Sequence, residues 1–312
     1  MKKTVFGSMC MFLVVLVMVF LSESTGEKEI IFPEVAALSA GCFLTQKLVW
    51  KTNYFRMFLT ISLCAFLGVL IVIFLPLPLC GKFVIAFTLG QIILYFSRTS
   101  FAPLISAIAL PVLIQTRSFV YVVAAIGLTV FVCFLTFLLE KFRLKEKNHY
   151  EPVNLNPKET ILLNAFRIVF VALLSFFCIR FDVRFCVAPP LLVAFTELTS
   201  KSSKAAKRPV SVIVLVSLCA LCGALSRNIL SSLSFFPLTF ASFLCCVIVQ
   251  ILVRIFSMPF PPAAAMSILA LLIPESSVFS YPLQVAAGIL ILTLSAMLWQ
   301  KFTCKKLIKS SE

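Results

Sequence analysis

Charge is scarce in this chain. Its 312 residues are 12% Asp, Glu, Lys and Arg, about half the roughly 25% of a soluble domain. That shortage excludes an ordinary water-soluble globule. Histidine occurs once, as His149, and aspartate once, as Asp182. His149 lies in the polar stretch at 140–160 and not in an apolar run, so the sequence argues against an intramembrane hydrolase built on paired Asp, or on Ser with His. Only 9 Gly are present, and none forms a phosphate-binding loop or an ATP-binding motif. No enzyme and no cofactor is expected. Cysteine is plentiful at 12, but nearly all Cys lie in apolar runs, where the thiol is a small hydrophobe. Cys219-x-x-Cys222 has metal spacing but no second pair and no neighbouring His.

What is present is apolar. The chain is 61% hydrophobic with 33 Phe, and the runs are continuous rather than alternating, as in helical membrane proteins and not barrels. Twelve apolar segments can be drawn, at 5–21, 33–48, 57–75, 83–97, 102–115, 119–139, 161–179, 185–198, 209–226, 236–255, 261–274 and 281–299. Segments 5 and 11 are the most Pro- and Ala-rich of the short ones. The first, led by Lys2-Lys3 and followed by Ser22-Glu23-Ser24, also reads as a cleavable signal; a retained helix is the better match to segment 7. The formal charge of +15 belongs to short loops beside the runs, which argues for membrane topology and against nucleic acid. With the N-terminus in the cytoplasm and every segment crossing, 20 of the 27 Lys and Arg fall inside and 6 outside, with Arg167 within a segment. Both termini are thus expected in the cytoplasm, in the plasma membrane.

The halves resemble each other. Gln91 to Pro103 (QIILYFSRTSFAP) aligns without a gap on Gln250 to Pro262 (QILVRIFSMPFPP). Ser62 to Gly68 echoes Ser217 to Gly223, Tyr121 to Gly127 echoes Tyr281 to Gly288, and Pro33 pairs with Pro189 and Pro190. Repeats in this order predict an all-α polytopic protein of two tandem six-helix units. The divisions are 1–139, a polar cytoplasmic linker at 140–160, 161–299, and a basic cytoplasmic tail at 300–312. Six crossings per unit make the units parallel, about a pseudo-twofold axis along the membrane normal. The rival plan has segments 5 and 11 enter and return, which inverts the units and places Lys201, Lys204, Lys207 and Arg208 outside, against the charge rule.

Polar groups inside apolar runs are costly and often functional. Gln91 and Gln250 hold equivalent places, and facing amides would bind a small polar solute; the alternative is that each bonds a neighbouring helix. Phe101 with Pro103, and Phe260 with Pro261, Pro262 and Ala263, break the chain before segments 5 and 11. A helix opening there carries a partial positive charge suited to an anion if it starts within the bilayer, but is a plain first turn if it starts in a loop. Pro189 and Pro190 repeat the break more weakly. Arg167 is either a substrate counter-charge or a side chain that snorkels to the cytoplasmic face. Glu197 and Glu34 read as solvated helix ends, with a proton relay the other reading for Glu197, and His149 reads as a solvated linker residue.

Phe260-Pro-Pro-Ala-Ala-Ala265, with Val187-Ala-Pro-Pro190, Arg208-Pro209 and Ala220-Leu-Cys-Gly-Ala224, resembles the HPP family of integral membrane proteins over about 160–300. The family's signature His is replaced here by Phe260 and its following Gly by Ala264, so no role of that His carries over. A chloroplast member is regarded as a nitrite transporter, so the resemblance implies small-anion transport. A looser resemblance, through Arg56 to Gly68 and Arg208 to Gly223, is to fusaric-acid and aromatic-acid exporters, which carry soluble regions that this chain lacks. The expected partners are the lipid bilayer, a small solute or ion and, in a homo-oligomer, further copies of the chain. A non-transporting scaffold or partner subunit is the alternative.

Overall fold

A computed structural model describes residues 2–233 and 236–309, with side chains over 5–231 and 236–303. Of the tail set at 300–312, residues 310–312 lie outside the described residues. Among those described, regular structure is helical throughout. Eight helices are long and apolar enough to cross a membrane, at Val5–Thr25, Tyr54–Phe74, Leu79–Ser97, Val120–Lys141, Pro157–Arg180, Pro209–Ser231, Leu238–Ile255 and Tyr281–Thr303. This is a polytopic α-helical membrane protein.

The helices are α1 (Lys2–Thr25), α2 (Glu34–Phe43), α3 (Tyr54–Phe74), α4 (Leu79–Ser97), α5 (Pro103–Ile114), α6 (Val120–Lys141), α7 (Pro157–Arg180), α8 (Pro189–Leu198), α9 (Pro209–Leu225), α10 (Leu238–Ile255), α11 (Pro261–Leu272), the one-turn α12 (Glu275–Val278) and α13 (Tyr281–Lys309). A long–short–long order thus occurs four times, around α2, α5, α8 and α11. The sequence singles out segments 5 and 11 among the short ones, but α2 and α8 are shorter than α5 and α11, at 10 residues against 12. The reason is local. Pro33 stands at the N-cap of α2, and Pro189-Pro190 open α8; a residue without an N–H makes upstream extension of the helix costly. Instead 3₁₀ turns, Lys28–Ile30 and Arg184–Val187, lead into them.

Long and short helices differ in what surrounds them. The long helices expose large apolar side chains, among them Phe55, Phe74, Val123, Phe176 and Leu298, which on a membrane protein is the lipid-facing surface. The short helices are buried on all sides. Every residue of α2, and every residue of α11 from Pro261 to Leu271, is buried. Helices that are apolar all round belong in a core. Here the core is made of four of them, with α2 packed on α11 and α5 on α8.

The molecule has two ends. At the basic end, the backbone of Ser100 bonds that of Lys51 (3.2 Å) and Trp50 donates its indole N–H to Glu197 (2.9 Å). The stretch read as a linker folds onto this end: Asn148 donates to the Thr52 carbonyl (2.6 Å) and Arg56 lies 4.8 Å over the Tyr150 ring. His149 is exposed. At the opposite end the Glu23 carboxylate accepts the backbone N–H groups of Leu238 and Thr239, tying the end of α1 to the start of α10.

Several contacts occur once in each half. Arg98 and Ser257, at matched positions of the two aligned strings, are both left-handed (φ 50° and 47°). The Tyr121 hydroxyl donates to the Ala107 carbonyl (2.9 Å), and that of Tyr281 to the Met266 carbonyl (2.6 Å). Phe32 stands edge-on to Tyr121 (centroids 5.7 Å apart) and Phe185 edge-on to Tyr281 (5.5 Å). Gly68 lies against the Ile108 carbonyl and Gly223 against that of Ser267, so α3 crosses α5, and α9 crosses α11, at backbone contact.

Candidate functional site

The N-termini of the four short helices meet. Glu34 and Ala37 of α2, Pro103 and Ser106 of α5, Pro190 and Val193 of α8, and Pro262 and Ala265 of α11 line one void, which has no room for a water molecule. Each helix contributes a residue from its first two positions and another one turn later. Two of the short helices run from this point toward each end, and those that pack on each other, α2 with α11 and α5 with α8, run toward opposite ends. The C-terminal parts of α5 and α11 reach a cavity at the end opposite the basic one. Those of α2 and α8 reach the basic end, where Trp50 and Lys145 sit.

Convergence of four helix N-termini concentrates four partial positive charges, each about half an elementary charge. The matching negative ends are dispersed and capped. The Lys145 ammonium bonds the carbonyls of Cys42 and Thr45 at the end of α2. Arg167 bonds the Thr196 carbonyl (2.7 Å), and Gln300 the Leu198 carbonyl (2.7 Å), at the end of α8. Arg227 bonds the carbonyls of Ala270 (2.9 Å) and Ile273 at the end of α11. A π-helical stretch, Ser226–Leu233, continues α9 and carries Arg227. At the end of α5, Gln115 donates its side-chain amide to the Val112 carbonyl (2.6 Å). Three buried cations thus sit at the negative ends of α2, α8 and α11, as the dipoles favour.

At the centre itself the prolines act on donors. Pro103 opens α5, Pro189-Pro190 open α8 and Pro261-Pro262 open α11. Their missing N–H groups would otherwise be unbonded in a dry site. The next N–H groups turn back, Leu191 onto the Ala188 carbonyl (2.8 Å) and Ala263 onto that of Phe260 (3.0 Å). What remains is the dipolar field and one charged side chain. Glu34 is 1% exposed; one carboxylate oxygen accepts from the Ser106 hydroxyl and the other is unpartnered. The expectation of a solvated helix end at Glu34 is therefore corrected. Phe32-Pro33-Glu34 lines up with Phe101-Ala102-Pro103 and Phe260-Pro261-Pro262, and this register was the signal available in the sequence.

The other candidates are placed as follows. Pro103, Pro190 and Pro262 line the centre. Phe101, packed edge-on against Trp50 (5.2 Å), Phe260, Pro189, Pro261 and Ala263 are buried beside it. Gln91 and Gln250 are not brought together. Gln91 donates to Thr196 (3.0 Å) and accepts from Arg167 (3.1 Å), between α4, α7 and α8. Gln250 faces α1, reaching the Ser8 carbonyl at 3.5 Å. Arg167 does not snorkel. It is 5% exposed and also bonds Thr199 (2.8 Å) and Asn164 (3.2 Å). Glu197 is half-buried and held by Trp50, not a freely solvated end.

The cavity at the end opposite the basic one measures about 570 Å³ and is lined by Lys28, Glu29, Gln115, Thr116, Arg117, Arg184 and the Ile273-Pro274 turn, among others. Three basic side chains against one acidic give it an anion-attracting mouth. Its floor includes Leu113 and Leu272. Each is ten helical steps from Pro103 or Pro262, so the centre lies about 15 Å away. Comparison of the chain with family models, with curated proteins and with solved structures finds no match.

Proposed function

We propose that this protein is a secondary transporter or channel for a small anion, nitrite-like in size and charge, with its site where α2, α5, α8 and α11 meet. The carrying observation is the convergence of four buried helix N-termini on one point. Such ends attract an anion without a permanent cation, and short helices broken at mid-depth are how membrane proteins build central sites. The basic cavity at one end offers the approach, and the tight centre is the closed state. The HPP resemblance, with its small-anion implication, belongs to the same reading.

The same reading takes the chain as two tandem units of six crossings, 1–139 and 161–299, joined by the 140–160 stretch. Each short helix with the stretch that leads into it makes one crossing. The paired contacts of Tyr121 and Tyr281, and of Gly68 and Gly223, support the duplication. The plan keeps both termini and the 200–208 loop in the cytoplasm of a plasma-membrane protein. A cysteine placed at Ser202 is expected to resist impermeant maleimide in intact cells and to react after permeabilisation; reaction in intact cells refutes the topology.

Purified protein in liposomes is expected to move nitrite or a related small anion down its gradient. Ala265→Leu, which fills the centre, should cut that flux at least tenfold while the protein stays monodisperse in detergent. No flux across a panel of small anions and aromatic acids refutes the transport reading.

A further inference from the structure

Position for position, the four short helices present Glu34, Pro103, Pro190 and Pro262 to the centre. Three of these carry no polar side-chain group. The fourth puts a carboxylate where the positive helix ends converge, the place an anion would take. One turn on, Ala37, Ser106, Val193 and Ala265 supply a single hydroxyl, and it serves one oxygen of that carboxylate. The second oxygen has no partner although the side chain is 1% exposed. A carboxylate kept only to neutralise helix ends would have both oxygens bonded, since a buried unpaired acceptor is costly. An oxygen left open in a dry site suits a group that gains and loses a proton.

Titratable neighbours are few. On α6, Tyr121 lies near enough to interact electrostatically with Glu34. The described charges of α1, α6 and α8, namely Glu23, Glu140, Lys141 and Glu197, stand at the far ends of those helices, and α5 and α11 carry no charged residue. The buried cations Lys82, Lys145, Arg167 and Arg227 bond groups elsewhere. The local charge is thus set by Glu34 and the four helix ends.

We propose that Glu34 is the proton-binding group of the central site, and that it takes up one proton for each anion admitted. The inference rests on the transport reading. An anion entering beside an ionised Glu34 would put two negative charges in a low-dielectric space. Protonation of the open oxygen removes one of them, so the helix ends always face a single negative charge. The proton comes from water at the face from which the anion enters and leaves with it at the other face. The cycle is anion–proton symport.

Two measurements on the full-length protein test this. The first is infrared titration of the carboxyl stretch in lipid vesicles, comparing the native protein with Glu34→Gln. A titrating band that vanishes in E34Q supports the proposal, and identical spectra overturn it whatever the transport result. The second follows nitrite uptake with a pH dye trapped in the vesicles. The native protein is expected to carry protons inward with nitrite, and an inward-acid gradient to slow uptake at least fivefold. E34Q should carry no protons with nitrite, and whatever nitrite flux it retains should not respond to the pH gradient. Native nitrite flux without proton movement, or E34Q flux with unchanged proton coupling, overturns the coupling. If neither protein moves any anion, the transport reading fails and coupling fails with it, while the infrared band alone judges the proton site. Ser106→Ala is the second variant; it should shift the midpoint of the band rather than abolish it, and an unmoved midpoint overturns the assignment of the band to Glu34.

Discussion

Gly223→Leu is expected to be among the most damaging single changes in the molecule. A Cβ at this position would overlap the carbonyl oxygen of Ser267 and stand 2.9 Å from the Ala270 Cβ. Neither neighbour can rotate away, because one is backbone and the other a methyl on a fully buried helix. Either α9 and α11 move apart or the crossing is lost. Small residues that let backbones touch are a main source of helix–helix attraction in a bilayer, and overpacking of a tight core costs about 1–3 kcal/mol. Loss of the crossing adds to that, so a destabilisation of about 3 kcal/mol is expected. Gly68→Leu at the matched α3–α5 crossing should behave alike, since a Cβ there would stand 2.6 Å from the Ile108 carbonyl oxygen. Gly127→Leu is the control, because nothing lies within 4 Å of a Cβ there. Thermal unfolding in detergent, read by loss of the monodisperse fraction, checks the ranking. If Gly223→Leu melts with Gly127→Leu, the packing described for α9 and α11 is wrong.

The second large effect concerns Arg167. Its guanidinium joins α4, α7 and α8 through bonds to Gln91, Thr199 and the Thr196 carbonyl. Among the described residues no carboxylate lies within ion-pair distance of it, the ion pairs being Lys47–Glu146 and Lys201–Glu159 at exposed sites. The buried charge is held by dipoles, namely the negative end of α8 and the Gln91 amide oxygen. Arg167→Leu removes those bonds and leaves that oxygen without its partner. Hydrogen bonds to charged groups are worth about 1.5–3 kcal/mol each. The gain from no longer burying the charge offsets part of this, so a net loss of about 3 kcal/mol is expected. Arg167→Leu combined with Gln91→Leu should cost less than Arg167→Leu alone, because the orphaned amide goes too. Strict additivity in this double-mutant cycle would show that the bond carries no energy. Gln250→Leu, by contrast, should lie within about 1 kcal/mol of the native protein, since its contacts to α1 are long and neutral.

The contrast between Gln91 and Gln250 shows how the two halves share a sequence pattern and differ in chemistry. Each amide stands at the same place in its helix and faces the helix that opens the other half. On α7 it meets Arg167; on α1 it meets Ser8 and Met11. Alignment finds the matched glutamines but cannot say what stands opposite, because that depends on how the halves are turned toward each other.

Much of the architecture is legible in residue order. Scarce charge and continuous apolar runs require helices in a bilayer, since no other unpaired backbone survives there. Proline pairs mark where α8 and α11 start, because two successive residues without an N–H make continuing a helix from upstream costly. The aligned strings locate two of the four short helices and the left-handed residues that precede them. Other features depend on distances that no local pattern encodes. Segment 2 reads as an ordinary span with a solvated acidic end; the Phe32-Pro33-Glu34 register matches it to the other breaks, and packing against α11 and α1 places Glu34 at the centre. Arg167 has a stem long enough to reach water, and its direction follows from the partners that α4 and α8 bring to it. Depth is the quantity that sequence leaves open. A break near the surface is a turn, whereas a break drawn inward joins three others. Burial of α2, α5, α8 and α11 on every side decides that, because a helix with no polar face has its lowest free energy among other helices, with its capped end outward and its proline-led end at the middle.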